Sequence, residues 1–293
     1  MAVLIDPPSW PAHGTLFSHL VSTSSLDELH AFAAAAGIPR RAFDEDHYDV
    51  PARRHRDLVL RGAREVSGTE LVRALIASGL RIPARQRAPR LRAALASRWE
   101  SLLPTEPALG QELLDRWSEP HRKYHTPAHL IAVLEALDVL MEPADALLRR
   151  PVLLAAWFHD AVYEGSAGED EQASARLAVE RLREPLGTSV AHEVGRLVLV
   201  TEAHDPVPDD RAGQLLCDAD LSVLAGPPEA YARYTDAVRQ EYAHIPDDAF
   251  TRGRRAVLLR LLALDPLYRT AAARARWGDR ARRNLMQELE SLA

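Results

Sequence analysis

Three observations predict a mainly helical chain in two parts, a small α/β unit followed by an all-helical bundle. Beyond Pro104 apolar residues recur at helical spacing, and no segment to the C-terminus alternates as a strand would. Residues 1–82 have a different texture, with short apolar runs at Ala2–Ile5 and Leu16–Ser22 separated by Pro- and Gly-containing stretches. Between the parts lies RIPARQRAPRLR (residues 81–92), rich in Arg and Pro and poor in apolar anchors, which reads as a linker. The expected divisions are 1–82 for the α/β domain, 83–103 for the linker and a connecting helix, and 104–293 for the helical domain.

Size and composition fit this division. A chain of 293 residues exceeds the usual single domain, and 47% apolar with 27% charged residues is the balance of a soluble globular protein. A formal charge of −6 gives no general pull toward nucleic acid, and no nucleic-acid site is evident. The single cysteine, Cys217, rules out an intramolecular disulfide. The start, MAVLIDPPSWP, lacks a basic segment, and no apolar run reaches the length of a membrane span, so the expectation is a cytoplasmic protein without a membrane partner.

In the first unit, Ala2–Ile5 and Leu16–Ser22 are the expected strands. A helix capped by Ser24 or Ser25 follows, with Leu26, Leu29, Phe32 and Ala33 on its apolar face and Gly37 at its end. FDEDHYDVP (residues 43–51) reads as a polar loop, and helical segments follow near 53–60 and 67–78. Five of the 12 histidines lie here, at His13, His19, His30, His47 and His55. His47 with Tyr48 and Asp49, and His19 with Asp6, could form a polar site. Their spacings match no metal pattern, so surface or hydrogen-bonded histidines are the preferred reading.

In the helical part, Pro127 predicts a helix beginning near Thr126, with His125 and His129 four residues apart on one face. Pro151 is expected to open the next helix, VLLAAWFHDAVY, whose apolar run ends in the adjacent ionisable pair His159 and Asp160. Two such groups beside a buried run are costly unless something compensates them. A helix from about Asp170 starts with three acids, which suit a helix N-terminus and need no function; Glu171 is the one of interest. A helix capped by Thr188 carries an inward stripe, Val190, Val194 and Leu197, that continues through Thr201 to His204. LLCDADLSVL then places Asp218 and Asp220 in apolar surroundings, where a helix cap would explain one of them but not both. Helices near 229–242, 250–264 and 270–292 read as structural, with Arg254 and Arg282 expected in surface ion pairs.

Each of these polar residues alone has a structural explanation. Together, His129, His159 with Asp160, His204, and Asp218 with Asp220 fall on four or five helices, which is how bundles build central sites. Imidazoles plus carboxylates form a mixed nitrogen and oxygen set, suited to a transition metal or Mg²⁺ rather than a thiolate zinc site.

Two resemblances sharpen this reading. VLIDPPSWPAHG, HLVS followed by LDELHAFAAAAGIPRR, and HYDVP are similar to a small bacterial domain of unknown function, which implies no activity. From about Leu113 to Leu292, RKYHTPAHL, AWFHDAVY, EQASA, the Thr201 to His204 spacing, CDADLSVL, RQEY and ARRNLMQEL resemble an uncharacterised bacterial branch of the HD-domain superfamily of metal-dependent phosphohydrolases. That resemblance implies His129, His159, Asp160 and Asp220 as ligands of a divalent ion, with Mn, Mg, Fe, Zn, Ni and Co all open. Asp220 is preferred to Asp218 because the last family Asp stands directly before a Leu-type residue.

The implied activity is hydrolysis of a small phosphate ester or anhydride, with a nucleotide among the candidates. Glu171, His204 and Asp218 are the candidate catalytic residues around the ion, and Arg122, Lys123 and His125 the candidate phosphate binders. No GYP follows the HD pair, and HDAVYEG lacks the His-Asp-x-x-Glu-Asp pattern of alarmone hydrolases, so the substrate stays open. An HD-type di-iron oxygenase using His204 at a second ion, and a nucleotide-binding module without catalysis, are the alternatives.

Overall fold

Val3–Ile5, buried at all three positions, is the strand β1 at the heart of the first unit, and an unbroken apolar run is what a strand covered on both faces requires. The computed structural model describes residues 2–12, 14–44, 46–78, 80, 88–166 and 168–292, and the chain divides into two units, residues 1–87 and 88–293. Residues 81–87 of the expected linker, and His13, lie outside the described residues.

Around β1 the first unit adds β2 (Trp10–Ala12), β3 (Thr15–Ser22), β4 (Phe43–Asp44), β5 (His47–Pro51) and β6 (Arg64–Glu65), in the order β4-β5-β3-β1-β6 with β2 on β3. All pairings are antiparallel except β1 with β6. Among its described residues the unit also has the α-helices α1 (Leu26–Ala35), α2 (Ala52–Leu60) and α3 (Gly68–Ala77). Ser25 caps α1 through Glu28 N, and Ser67 with Glu70 closes a capping box on α3. Val3, Ile5, Leu20, Tyr48 and Val50 pack on Leu29 and Leu58, while Leu4 and Val21 on the opposite face meet Leu71 and Leu75.

The FDEDHYDVP segment corrects the sequence reading. It is not a loop but the hairpin β4–β5, with Phe43 opposite Tyr48. Polar His47 and Asp49 do alternate with apolar Tyr48 and Val50, but over only five residues closed by Pro51, a stretch too short to stand out beside the acids that precede it.

The second unit consists of α4 (Ala88–Leu102), α5 (Pro107–Trp117), α6 (Pro127–Leu140), α7 (Ala146–Phe158), α8 (Glu169–Leu186), α9 (Thr188–Val200), α10 (Arg211–Asp220), α11 (Pro228–Glu241), α12 (Asp247–Ala263) and α13 (Ala271–Ser291). One apolar core joins them, with Trp99, Trp117, Trp157 and Phe158 all but fully buried. At Gly195 a Cβ would stand 2.7 Å from Val179 Cγ2, so the close approach of α9 to α8 needs a glycine there.

Pro151 does not open α7, which starts five residues earlier. The hydrogen bond that proline removes would have ended on the carbonyl of Leu147, a residue 93% exposed, so water can take its place. Arg254 is likewise not a surface residue: its buried guanidinium makes a two-pronged pair with Glu288, at 2.6 and 2.9 Å, and donates to Tyr234 Oη.

Candidate metal centre

One helix start and two helix ends meet in the second unit. Pro127 and the extended Thr126 open α6 and set His129 in its first turn. At the other end of α7, His159 is the C-cap, and its Nδ1–H donates to Ala156 O at 2.8 Å. A carbonyl can only accept, so this bond fixes the tautomer and turns the Nε2 lone pair inward. Asp160 follows directly, and Asp220 closes α10.

The four side chains converge. His129 Nε2 lies 3.2 Å from His159 Nε2 and 3.0 Å from Asp220 Oδ1. His159 Nε2 lies 3.1 Å from Asp160 Oδ2 and 3.5 Å from Asp220 Oδ1, and His129 Nε2 is 3.9 Å from Asp160 Oδ2. His159 Nε2 and the facing carboxylate oxygens carry lone pairs, an arrangement that repels itself unless a proton, such as one on His129 Nε2, or a metal cation lies among them. Donors about 2.0–2.2 Å from one zinc-type ion stand about 3.3 Å from one another, close to the spacings observed. The set therefore fits a divalent ion.

Its electrostatics fit a cation as well. Burial works against charge on all four groups. The facing charges outweigh it at Asp160 and Asp220, which His159 above all holds well below the usual carboxylate range, and at His159, which the two carboxylates raise. At His129 burial prevails and lowers the imidazole. The side chains of His129 and His159 are 4% and 1% exposed, whereas Asp160 and Asp220 keep 16% and 13%. The centre is thus most deeply buried behind the imidazoles and least buried on the carboxylate side.

Several residues that support the centre have roles that the sequence did not assign to them. Trp117 packs its ring 5.3 Å from that of His159, and Tyr124 Oη is hydrogen-bonded to His129 Nδ1 at 3.1 Å. Glu241, at the end of α11, takes His125 Nδ1–H on Oε2 and the backbone N–H groups of Lys123, Tyr124 and His125 on Oε1. His125 stacks on Tyr163, with its Nε2 3.9 Å from Asp160 Oδ2. An acid contributed from so far along the chain can be matched to its histidine only by the fold.

His204 reaches the centre by a different route from the expected one. Its Nε2 lies 2.7 Å from Asp220 Oδ2, but α9 has ended at Val200 and His204 sits in the following turn at φ 54°. A left-handed conformation is costly for histidine and is held here by the surrounding turn.

Other sequence candidates have structural partners. Asp218, two residues before Asp220 and therefore on the other side of α10, accepts the N–H groups of Arg269 and Thr270 at 2.7 Å each, just ahead of α13. Glu171 accepts Gly168 N–H at 2.6 Å at the start of α8. The guanidinium of Arg122 donates to the carbonyls of His125, Asp160 and Ala161 and to Glu119, which leaves it tying down the chain that leaves the HD pair. Asp170 secures the same segment through Glu164 N and Ser166 N. Lys123 is exposed and donates its Nζ to Pro120 O.

Among the described residues, two sets of side chains are disposed so that they could hold a metal ion: His129, His159 and Asp220 here, and His19, His47 and Asp49 in the first unit. Fold and donor sets thus define the class, a small α/β unit joined to an all-helical unit, each with a His/Asp cluster of metal-binding type. Residues 3–78 match the family described as a protein of unknown function (DUF4031), in keeping with the small bacterial domain that this segment resembles. No curated protein and no solved structure matches the chain. The family match ends before the helical unit and bears only on the first. Among the described residues, no helix is long and apolar enough to cross a membrane.

Proposed function

We propose that the helical unit is a metal-dependent phosphohydrolase of the HD superfamily, acting on a small phosphate ester or anhydride. The observation that carries this reading is the convergence of His129 Nε2, His159 Nε2 and carboxylate oxygens of Asp160 and Asp220, all within 4 Å of a partner in the set, at one partly open centre. These four residues would hold the ion, which when bound would acidify a water molecule and polarise a phosphoryl oxygen.

The chain's own groups do the rest. Glu241 keeps the proton on His125 Nδ1 and turns Nε2 toward the carboxylate side of the centre. Burial opposes a charge on His125, while Asp160 and Glu241 raise its pKa, and its Nε2 on the carboxylate side is placed to bind a phosphate oxygen or serve as an acid toward a leaving group. Arg122 holds the main chain of Asp160 in place, a positioning role rather than the phosphate contact expected from the sequence.

The test is a phosphate-release screen over nucleotides and sugar phosphates, using chelated full-length protein reloaded with Mn²⁺, Mg²⁺, Fe²⁺, Zn²⁺, Ni²⁺ or Co²⁺. Metal-dependent release that disappears in His159→Ala is expected. Absence of release under every metal would reject hydrolysis. One observation favours the di-iron oxygenase reading: Asp220 presents Oδ1 to His129 and Oδ2 to His204, as a carboxylate bridging two ions would. Two irons in this unit with oxygen consumption would establish it instead.

A further inference from the structure

The strand register of the first unit builds a second centre that owes nothing to the helical one. His19 on β3 lies directly opposite Asp49 on β5, and His47, two residues before Asp49, shares its face of the sheet. Asp6, just past β1, adjoins His19 across the neighbouring strand pair and continues the same row. Leu20, Tyr48 and Val50 alternate with these residues and fill the core of the opposite face, so the polar row is fixed by the pleat.

Each imidazole has a carboxylate behind it. His19 Nδ1 is 2.9 Å from Asp6 Oδ2, and His47 Nδ1 is 2.6 Å from Asp46 Oδ1. Asp6 and Asp46 are buried, and each binds the ring nitrogen on the far side from Asp49. A carboxylate at Nδ1 holds the proton there and leaves the Nε2 lone pair facing forward, as behind metal-bound histidines in general. Both Nε2 atoms face one oxygen: Asp49 Oδ1 lies 3.2 Å from that of His47 and 4.0 Å from that of His19. The three donor atoms lie within 4.8 Å of one another.

We infer that the first unit binds a divalent transition-metal ion through His19 Nε2, His47 Nε2 and Asp49. Two imidazoles with one carboxylate select ions of the Zn²⁺, Co²⁺ and Ni²⁺ kind over Mg²⁺ or Ca²⁺, which prefer all-oxygen sites. Three protein donors leave at least one coordination position for water or a ligand, the pattern of reactive rather than purely structural zinc sites. The side chains of His19 and Asp49 are 26% and 44% exposed, so this position is open to solvent. The exposed ring of Trp10 stands 5.9 Å from that of His19 and supplies an apolar wall beside it. The ligand class that fits is a small molecule offering an oxygen or nitrogen donor next to a flat apolar group.

The two centres can be counted separately in the full chain. Chelated wild type, His19→Ala, Asp49→Asn and His159→Ala are titrated with Co²⁺, followed by visible absorption, and metal per chain is then measured after desalting. Wild type is expected to hold two ions. His19→Ala loses one, and Asp49→Asn weakens that same site at least tenfold. His159→Ala loses the other ion and leaves the first-unit signal intact. Asp49 is half exposed on its strand, so the Asp49→Asn variant keeps the fold, and its far-ultraviolet circular dichroism is the control. Wild-type Co²⁺ binding in both first-unit variants overturns the inference and leaves the helical centre standing. Loss of one ion in His19→Ala but none in His159→Ala upholds it and removes the helical centre instead.

Discussion

Glu241 stands behind His125. Its Oε2 takes the imidazole Nδ1–H at 2.7 Å, while Oε1 takes three successive backbone N–H groups from residues 123–125. One carboxylate therefore both orients the imidazole and shapes the turn that leads into α6 and its His129.

The first prediction follows from that pairing. Burial opposes the charge on Glu241, but His125 and the N–H groups outweigh it and hold the pKa down at about 2. A carboxyl whose folded pKa lies below its unfolded one adds stability above the unfolded pKa and loses it as pH falls through the folded pKa. Glu241→Gln should lower the unfolding free energy by about 1–3 kcal/mol at neutral pH. That gap should narrow as pH drops from about 4 toward 2. Urea denaturation of both proteins at pH 7 and pH 3 measures it, and an equal gap at both would reject the stabilising role. With a cleaved substrate in hand, the variant should also lose about 10–100-fold in kcat/KM.

The second prediction concerns the ligands of the helical centre. An ion that binds only the folded state adds to its stability. In a His19→Ala background, which removes the first-unit centre, His159→Ala and Asp160→Ala should therefore each lose the remaining ion, and with it the rise in Tm that metal gives the background protein. Adding 100 Kd of metal should stabilise the background protein by about 2.7 kcal/mol and leave these two variants unmoved. Equal metal content in the background protein and both variants would remove these residues as ligands.

How far the sequence led depended on the kind of signal. Helices announced by a cap and a 3.6 period, such as α1 with Ser25 and α6 with Pro127, are found where they were expected. The HYDVP strand was missed because its alternation spans only five residues beside a run of acids, and with it went the facing of His19 and Asp49, which only the register reveals. Local sequence also could not divide Asp218 from Asp220 by role. Two residues on a helix point to opposite sides, but which side holds the imidazoles depends on α6, α7 and the start of α13. Glu241 and Arg122 show the same limit, because residues 123–125, held by Glu241, and the Asp160 and Ala161 carbonyls, held by Arg122, lie far from them along the chain.

Arg122 gives the third prediction. Its guanidinium spans three carbonyls and Glu119 and lies over the rings of Trp117 and Tyr163. Lysine offers a single point charge and cannot span these acceptors. Arg122→Lys should cost about 2–4 kcal/mol of stability, with buried carbonyls left short of donors. The expected readouts are a lower urea midpoint and weaker metal retention. A rise in KM with unchanged stability would instead restore the phosphate contact that the sequence suggested.

The last prediction decides how many ions the helical centre holds. Asp220 divides its carboxylate between His129 at 3.0 Å and His204 at 2.7 Å, which invites a second ion on the His204 side. The donors available there are few, because Asp218 is committed to Arg269 and Thr270 and Glu171 to the start of α8. An ion held only by His204 and one oxygen of Asp220 would exchange readily, whereas the four-residue set on the other side matches a tightly bound one. His204→Ala should accordingly keep the ion of the helical centre and slow turnover, because Asp220 loses the partner that orients it. The positive φ at this position means that alanine adds some backbone strain, so His204→Asn, which tolerates that conformation better, is the companion variant. Metal per chain is measured in a His19→Ala background, which takes the first-unit centre out of the count. One ion in the background protein and one in each His204 variant is the expected result. Two ions falling to one would overturn the single-ion centre and move the assignment toward the di-iron oxygenase.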